Sequence, residues 1–238
     1  MKKTTGRNKK TGIKPKPAVM SWSSGKDSAF ALHAARQNPD IEVVGLVSTF
    51  NELFDRVAIH GTQRQIAAAQ AAMLGLPLIE VNLPYPCSNE LYDERIGACV
   101  AELKNQNIHD WIFGDLFLED VRAYREERML AAGLTPHFPL WGADTRQLAE
   151  EMLAADLIAN IVTLNPEKMP KSLCGHRFDQ AFLSQLPEGV DPCGENGEFH
   201  TVVSYAPGFA RPLHLVQGQT IEREGFVYTD FSLPADGE

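Results

Sequence analysis

The chain has 238 residues, with 22 Lys and Arg against 31 Asp and Glu and a formal net charge of −9. The first 17 residues hold seven basic residues and no acid, so the remainder carries 15 basic and 31 acidic residues, a charge of −16. An apolar fraction of 44% excludes a disordered chain. The sequence has no run of 18 apolar residues, which argues against a transmembrane helix. Residues 18–238, with a charge of −16, are a poor general binder of nucleic acid, because phosphates require a basic surface.

Residues 1–17 are rich in Lys, Thr and Gly and predict a flexible basic tail. Two roles stay open for this tail, a solubilising arm or a local contact with a polyanion. It lacks the apolar segment of a secretory signal. The four cysteines (Cys87, Cys99, Cys174 and Cys193) form no Cys-x-x-Cys pair and no dense disulfide framework, which indicates a reducing compartment and a cytoplasmic protein.

From Ala18 onward, short apolar runs alternate with amphipathic segments. The runs predict strands at 18–22, 41–47, 78–83, 111–113 and 157–164. The segments between them predict helices at 26–37, 66–74, 96–103, 118–132 and 144–155, with Gly75 and Gly133 as stops. This alternation predicts an α/β fold with a doubly wound parallel sheet.

The alternation of strands and helices ends after about residue 165, where prolines interrupt the chain repeatedly. One short helix is predicted around Phe178, Phe182 and Leu186, and strands are predicted at 199–205 and 226–231. We therefore expect a first domain at 18–140 and a smaller, mixed α+β C-terminal domain at 141–238.

The loop between the first strand and the first helix carries anion-binding chemistry. Its sequence from residue 21 is Ser-Trp-Ser-Ser-Gly-Lys-Asp-Ser. At this place an α/β sheet presents backbone N–H groups and a helix N-terminus to an anion. Ser23, Ser24 and Ser28 add hydroxyl groups, and Gly25 allows close approach. Lys26 brings a positive charge that could reach a phosphate. Asp27 is a candidate catalytic residue that could hold the loop or help to position a metal. The spacing fits neither a Walker A motif nor a dinucleotide fingerprint.

This loop resembles the PP-loop of the N-type ATP pyrophosphatases, usually Ser-Gly-Gly-x-Asp-Ser. Ser24 stands where glycine is usual; serine has less backbone freedom but can still adopt a tight turn if its φ stays negative. Two later blocks, at 114–125 and 189–201, and Pro139-Leu140-Trp141 extend the likeness. Over residues 18–205 the chain resembles the diphthine–ammonia ligase family, in its compact prokaryotic branch.

The resemblance implies a HUP-type PP-loop domain that binds ATP and Mg²⁺. In such a family, ATP is cleaved to AMP and pyrophosphate, which activates an acceptor oxygen for displacement by ammonia. The acceptor is then a protein side chain or a small carboxylate. The resemblance implies no membrane and no general nucleic-acid partner, and a homodimer is an assembly to test.

Several residues are candidates for binding ATP and its metal. Asp115 follows a predicted strand directly after Gly114, at the sheet edge where ligands bind, and is predicted to be catalytic and to bind Mg²⁺. The alternative is a carboxylate that favours a helix N-terminus. Arg122, with Arg125, could clamp pyrophosphate, or it could pair with Glu126 on a solvated face. Ser48, at the end of the second predicted strand, resembles the position that borders the adenine. His60 lies near the same edge and could meet phosphate or substrate, or could cap or pack.

The block Cys193-Gly-Glu-Asn-Gly-Glu-Phe-His-Thr201 supplies the remaining candidates. Glu195, Glu198 and His200 are predicted acid–base or ammonia-binding groups. Asn196 and Thr201 are predicted to orient the substrate. Cys193 is a substrate-binding candidate. Alternatively, it is a nucleophile activated by His200, or a small residue packed at a turn. A metal site built from Cys174, His176, Cys193 and His200 is a further alternative.

The leading hypothesis is an ATP-dependent, AMP- and pyrophosphate-forming amide ligase that uses ammonia. PP-loop tRNA thiolation is a second hypothesis, weakened by the acidic body and by the missing Cys-x-x-Cys. An ATP-binding or ATP-hydrolysing sensor of the same superfold is a third, and the carboxylate-rich block argues against it.

Overall fold

The computed structural model describes residues 14–58 and 61–235. In this part of the chain, a first sheet combines five parallel strands with one short antiparallel strand. In chain order these are β1 (Lys16–Ser21), β2 (Ile41–Asn51), the antiparallel β3 (Arg56–Val57), β4 (Leu78–Leu83), β5 (Asp110–Ile112) and β6 (Thr135–His137). The parallel strands lie in the order β4-β2-β1-β5-β6, and β3 pairs with the last two residues of β2.

Helices cover both faces of this sheet. They are α1 (Lys26–Ala35), α2 (Arg64–Leu74), α3 (Asn89–Asn105), α4 (Glu119–Ala131) and α5 (Thr145–Ala154). Because side chains alternate along a strand, Met20 packs in the core with α1, α2 and α5, whereas Val19 packs in the core with α3 and α4. The predicted doubly wound, HUP-like α/β fold is confirmed.

The strand order reverses between β1 and β5. The chain moves outward from β1 to β2 and β4, and then returns to add β5 on the other side of β1. In open α/β sheets, ligands bind at the carboxyl edge where the order reverses. The loop Ser23–Ser28 follows β1 at this edge, and Gly114 and Asp115 follow β5 there.

The C-terminal part forms a smaller antiparallel sheet. Its strands are β7 (Ile158–Leu164), β8 (Phe199–Tyr205), β9 (Val216–Arg223) and β10 (Phe226–Ser232), in the order β8-β7-β10-β9. A 3₁₀ turn (Lys171–Leu173) and a short helix, α6 (Gln180–Leu183), precede β8. Met20 and Ala31 share one apolar core with Phe199 and Val203 of β8, so the second sheet packs directly on the first unit.

Several boundaries differ from the sequence predictions. Helix α3 begins at Asn89, whereas its predicted start is residue 96. β1 begins at Lys16, inside the predicted tail, because Lys16 and Pro17 pair with β2. Residues 1–13 of that tail lie outside the described residues. β2 continues to Asn51 because β4 and β3 pair with its end. The strands β3, β6 and β9 were not predicted. In the described ranges, the helices are all too short or too polar to cross a bilayer.

Candidate functional site

The loop between β1 and α1 is preorganised by its own hydroxyl groups. The Ser23 hydroxyl donates to the Ser28 hydroxyl over 3.1 Å and accepts the Gly25 N–H over 3.3 Å. The Ser28 hydroxyl donates to the Gly25 carbonyl over 3.0 Å. The first-turn N–H groups of α1 have no partner within the helix itself and stand next to these hydroxyl groups. The arrangement is suited to an anion such as a phosphate.

Ser24 has a left-handed backbone conformation. Its φ is +68°, so the negative φ with which serine would suit a tight turn is not observed. The side chain is fully buried, and within the described residues its hydroxyl has no hydrogen-bond partner. Its carbonyl, in contrast, accepts hydrogen bonds from Val203 N–H at 2.9 Å and from the Gln70 amide at 3.2 Å. The turn that these partners enforce is one that glycine would adopt at lower cost.

Ser24→Gly is therefore expected to raise the free energy of unfolding by about 1 kcal/mol, because glycine relieves the left-handed strain and removes a buried hydroxyl. Urea unfolding at pH 7 would measure the change. Ser24→Ala separates the two causes, since it removes the hydroxyl and keeps the strained backbone. Equal stability of Ser24→Gly and the parent chain would show that the turn is not strained.

Lys26 does not face an open phosphate site. Its side chain is 1% exposed, and its ammonium donates to both Asp27 carboxylate oxygens at 2.8 and 2.9 Å and to the Cys193 carbonyl. It also lies 5.2 Å from the ring centre of Phe199. Burial alone would lower the pKa of Lys26, but the adjacent Asp27 outweighs it and the pKa is raised. The predicted phosphate contact of Lys26 is thus replaced by an internal ion pair.

Strand β8 fastens the loop from the C-terminal side. Thr201 is buried, and its hydroxyl accepts the Lys26 N–H at 3.0 Å. A Cβ on Gly25 would lie 3.2 Å from the Thr201 carbonyl oxygen, so glycine permits this close packing. Thr201 therefore braces the loop, which corrects the prediction that it contacts substrate.

The end of β5 lies against the same loop. A Cβ on Gly114 would lie 3.0 Å from the Asp27 carbonyl carbon, so Gly114 permits two backbone segments to meet. Asp115 is 13% exposed and forms an ion pair with Arg125, with a nitrogen–oxygen distance of 2.7 Å. Asp115 thus lies at the sheet edge as predicted, and Arg125 of α4 is its ion-pair partner.

Arg122 follows the alternative interpretation. Its guanidinium donates to Glu126 over 2.7 Å and stacks on Trp141 and Phe138, at 4.7 and 5.0 Å from their ring centres. The guanidinium charge is thus neutralised by Glu126 on the same helix. Arg122 could clamp pyrophosphate only if it broke this ion pair.

The block after β7 folds back on itself through carboxylates. Asp191 accepts the N–H groups of Cys193 and Glu195 at 3.2 and 2.9 Å. Glu198 is 2% exposed and accepts from Asp191 N–H at 3.4 Å and from the exposed Asn196 amide at 3.2 Å. Glu198 therefore braces the block through Oε1, while its Oε2 has no hydrogen-bond partner among the described residues. Its predicted catalytic and substrate-binding roles stay predictions. Asn196 contacts Glu198, and its predicted contact with substrate stays a prediction.

Cys193 and His200 are both withdrawn from acid–base chemistry near pH 7. The Cys193 thiol is buried and donates to the Thr145 carbonyl at 3.4 Å, and burial raises its pKa. It is a residue packed at a turn, which corrects its prediction as a substrate contact. Burial, helped by the charge of Lys26, lowers the pKa of His200 to about 4, so its imidazole is neutral near pH 7, which disfavours a role as an acid. Its predicted role in binding ammonia stays a prediction.

Glu195 is the carboxyl group that reaches the junction of the two loops. Its Oε1 accepts the Leu116 N–H at 2.8 Å, just beyond Asp115. Burial, together with the charges of Asp27 and Asp115, raises the pKa of Glu195 to about 7. A carboxyl with such a pKa can take up or release a proton under neutral conditions, which a catalytic base requires.

A cavity of about 730 Å³ opens beside the loop, between the carboxyl edge of the sheet and helices α3 and α4. Ser21 and Ser23 border it, Trp111 and Phe113 contribute aromatic walls, and Arg125 lies on its rim. Its size suits a nucleotide-sized ligand. Ser48 lies within β2 and is buried, whereas its neighbours Val47 and Thr49 line the cavity, which corrects its predicted place at a strand end. His60 lies outside the described residues.

The described carboxylates do not form a metal cage. No set of three or more His, Cys, Asp or Glu side chains in residues 14–58 and 61–235 is arranged to hold a metal ion, and this also argues against the alternative site at Cys174 and His176. Asp115 and Asp27 are each paired with a cation. Proteins often bind Mg²⁺ through one or two carboxylates and substrate phosphates, so these residues fit only a Mg²⁺ ion carried by a nucleotide.

Gln70 is the site-forming residue that sequence reasoning missed. It is fully buried in α2, where its amide contacts the loop after β1. The signal in the sequence is an amide on the apolar stripe of a predicted helix, between Ile66 and Leu74.

Comparisons with known families cover both parts of the chain. A family model described as the diphthamide synthase N-terminal domain matches residues 16–134, and one described as the diphthamide synthase C-terminal domain matches residues 144–231. A search of curated proteins finds no significant match. Because the two matched models cover most of the chain, which also has the fold and the loops described above, the chain belongs to the diphthamide synthase family of PP-loop ATP-using enzymes.

Proposed function

We propose that the protein is an ATP-dependent amide ligase that forms AMP and pyrophosphate and uses ammonia as the nitrogen donor. The observation that carries the proposal is the junction of two loops at the sheet edge. The loop Ser23–Ser28 offers hydroxyl groups and helix N–H groups, and Glu195 from the C-terminal block reaches Leu116 beside it. A phosphate cradle and a group able to exchange a proton near pH 7 thus lie in one site.

The nucleotide is proposed to bind with its phosphates on the loop and its adenosine in the adjoining cavity. Ser23, Gly25 and Ser28 would contact phosphate through hydroxyl and N–H groups. Trp111 and Phe113 would offer aromatic surface to the adenosine. Arg125 also lines the cavity, and its charge would favour the phosphate chain.

Mg²⁺ is proposed to enter with ATP, and Asp115 is the carboxylate that we expect to hold it. The metal would neutralise phosphate charge when bound. Asp115 is free to serve only after Arg125 turns away from it, and an incoming phosphate offers Arg125 an alternative anion.

The proposed reaction has two steps. An acceptor carboxylate oxygen attacks the α-phosphorus, the bond to the β-phosphate oxygen breaks, and pyrophosphate leaves. Ammonia then attacks the activated carbonyl carbon, the carbon–oxygen bond to AMP breaks, and one proton must be removed from nitrogen. Glu195, with its pKa raised to about 7, is proposed to accept that proton, and Asp27 is proposed to keep the loop in shape through Lys26.

The same resemblance supports several coarser proposals. The chain would divide into an ATP-binding domain at 18–140 and a substrate domain at 141–238, and it would act in the cytoplasm, with a homodimer to be tested. The acceptor would be a protein side chain or a small carboxylate. The assignment to the compact prokaryotic branch stays a prediction.

The proposal is tested by product analysis. The protein is incubated with ATP, Mg²⁺ and candidate carboxylate acceptors, with and without ammonium, and the nucleotides are separated. We expect AMP and pyrophosphate in equal amounts, with AMP release dependent on ammonium. Formation of ADP, or no AMP with any acceptor, would contradict a ligase of this type.

A further inference from the structure

Gln70 occupies an unusual place for an amide. It lies in the middle of α2, fully buried, among residues of the apolar core. A buried amide costs free energy unless its donors and acceptor are satisfied, so a simple core position would favour Leu or Met.

The Gln70 side chain connects three separate segments. Its Oε1 accepts the indole N–H of Trp22 at 2.9 Å, and its Nε2 donates to the carbonyls of Ser24 at 3.2 Å and Val203 at 2.7 Å. Because the nitrogen faces two carbonyls and the oxygen faces an N–H, only one orientation of the amide satisfies every contact. Helix α2, strand β8 and the loop after β1 are thus tied at one side chain.

The contact with Ser24 falls on the strained residue of the loop. Ser24 has φ +68°, and its carbonyl accepts from both Gln70 and the Val203 N–H. A non-glycine residue keeps such a conformation only where its surroundings determine it. The next residue, Gly25, accepts the Ser28 hydroxyl, so the orientation at Ser24 is passed to the atoms that would face a phosphate.

We propose that Gln70 is a positioning residue for phosphate binding, which holds Ser24 in its left-handed conformation and so sets the direction of the N–H and hydroxyl groups of Ser23–Ser28. This inference rests on the proposed function, because it assumes that the loop binds the phosphates of ATP. Gln70 itself does not touch the nucleotide.

The competing view is that Gln70 is only a satisfied core amide. In that case a substitution lowers the stability of the protein but leaves ligand affinity unchanged in the molecules that remain folded. A positioning role predicts instead that affinity falls for ligands that occupy the loop and not for ligands that occupy only the cavity.

Calorimetric titration at a temperature well below unfolding separates these views. The probes are inorganic pyrophosphate, ATP with Mg²⁺, and adenosine, and the variants are Gln70→Leu and the control Gln65→Leu, which changes an exposed glutamine of the same helix. We expect Gln70→Leu to weaken pyrophosphate and ATP binding about ten-fold, the scale of a lost buried hydrogen bond, and to leave adenosine binding unchanged. Gln65→Leu should match the parent chain for every probe.

The outcomes assign failure to one proposal or the other. A parent chain that binds neither ATP nor pyrophosphate overturns the proposed function, and this inference with it. A parent chain that binds both, with equal binding by folded Gln70→Leu, overturns the positioning role alone. Equal loss for pyrophosphate and adenosine would also overturn it, because that pattern indicates general damage to the site.

A second variant and a second measurement cover the case in which Gln70→Leu does not fold. Gln70→Glu keeps an acceptor for Trp22 and places a carboxylate oxygen against the two carbonyls, so it should show the same selective loss of pyrophosphate binding. Hydrogen exchange should rise at residues 23–28 in either variant, and unchanged exchange there would contradict the proposal.

Discussion

Lys26→Met is expected to lower the free energy of unfolding by about 3 kcal/mol, the low end of the cost of breaking a buried ion pair from one side, because Lys26 is 1% exposed but Asp27 is 27% exposed. Methionine nearly fills the space of the lysine stem but leaves the Asp27 carboxylate without its cation, close to the further charges of Asp191 and Glu195. The Cys193 carbonyl also loses its donor. The substitution therefore weakens the contact between the loop after β1 and the C-terminal block, while the hydrogen bond from the Lys26 N–H to Thr201 remains.

Urea unfolding at pH 7 is the measurement, and Lys168→Met is the matched control. Lys168 also donates to a carbonyl of the block, that of Asn196 at 2.7 Å, but it is exposed and should contribute less than about 1 kcal/mol. If the two variants lose equal stability, the ammonium of Lys26 is not an internal partner of Asp27, and its earlier assignment to phosphate regains support.

The fold could be predicted where burial leaves a periodic pattern. β1, β2 and β5 are apolar runs buried on both faces. β4 instead alternates between exposed Glu80 and Asn82 and buried Val81 and Leu83, and the helices between the strands show apolar stripes. β9 was missed because every residue of this edge strand is exposed, which leaves no alternation to detect. β3 has only two residues, and β6 reads Thr-Pro-His, which is not an apolar run, so neither strand leaves a pattern to detect.

The site could be located from the sequence, but the direction of its side chains could not. The Ser23–Ser28 loop and the Cys193–Thr201 block were each recognised, and they do meet. Lys26 nevertheless contacts the block instead of an open site: its ammonium donates to the Cys193 carbonyl, and its N–H donates to the Thr201 hydroxyl. These partners are more than 160 residues away along the chain, so the motif alone does not reveal them. A motif gives residue types in order, whereas such long-range contacts decide which groups face the ligand.

Glu195→Gln is expected to stabilise the protein at pH 8 and to leave its stability unchanged at pH 4. Burial and the nearby Asp27 and Asp115 raise the pKa of Glu195 to about 7, from a usual value of 4.5. Between these values the folded chain keeps a proton that the unfolded chain has released, so the contribution of Glu195 to stability is full below pH 4.5 and is lost as the pH rises through 7. Above pH 7 the folded protein holds an unfavourable carboxylate, and glutamine removes it.

The gain at pH 8 should be about 2 kcal/mol, which is the free energy of the pKa shift reduced for the solvent that reaches this partly exposed group. Glutamine can still accept the Leu116 N–H through its oxygen, so the hydrogen bond at 2.8 Å is retained. Melting temperatures from pH 4 to pH 8 would measure the effect, with Glu188→Gln as an exposed control. A constant difference across this range would mean that Glu195 keeps an ordinary pKa, and Glu195 would then lose its advantage as a proton acceptor at neutral pH. A difference that opens between pH 5 and 7, with no such change in Glu188→Gln, would place the titrating proton of the site on Glu195.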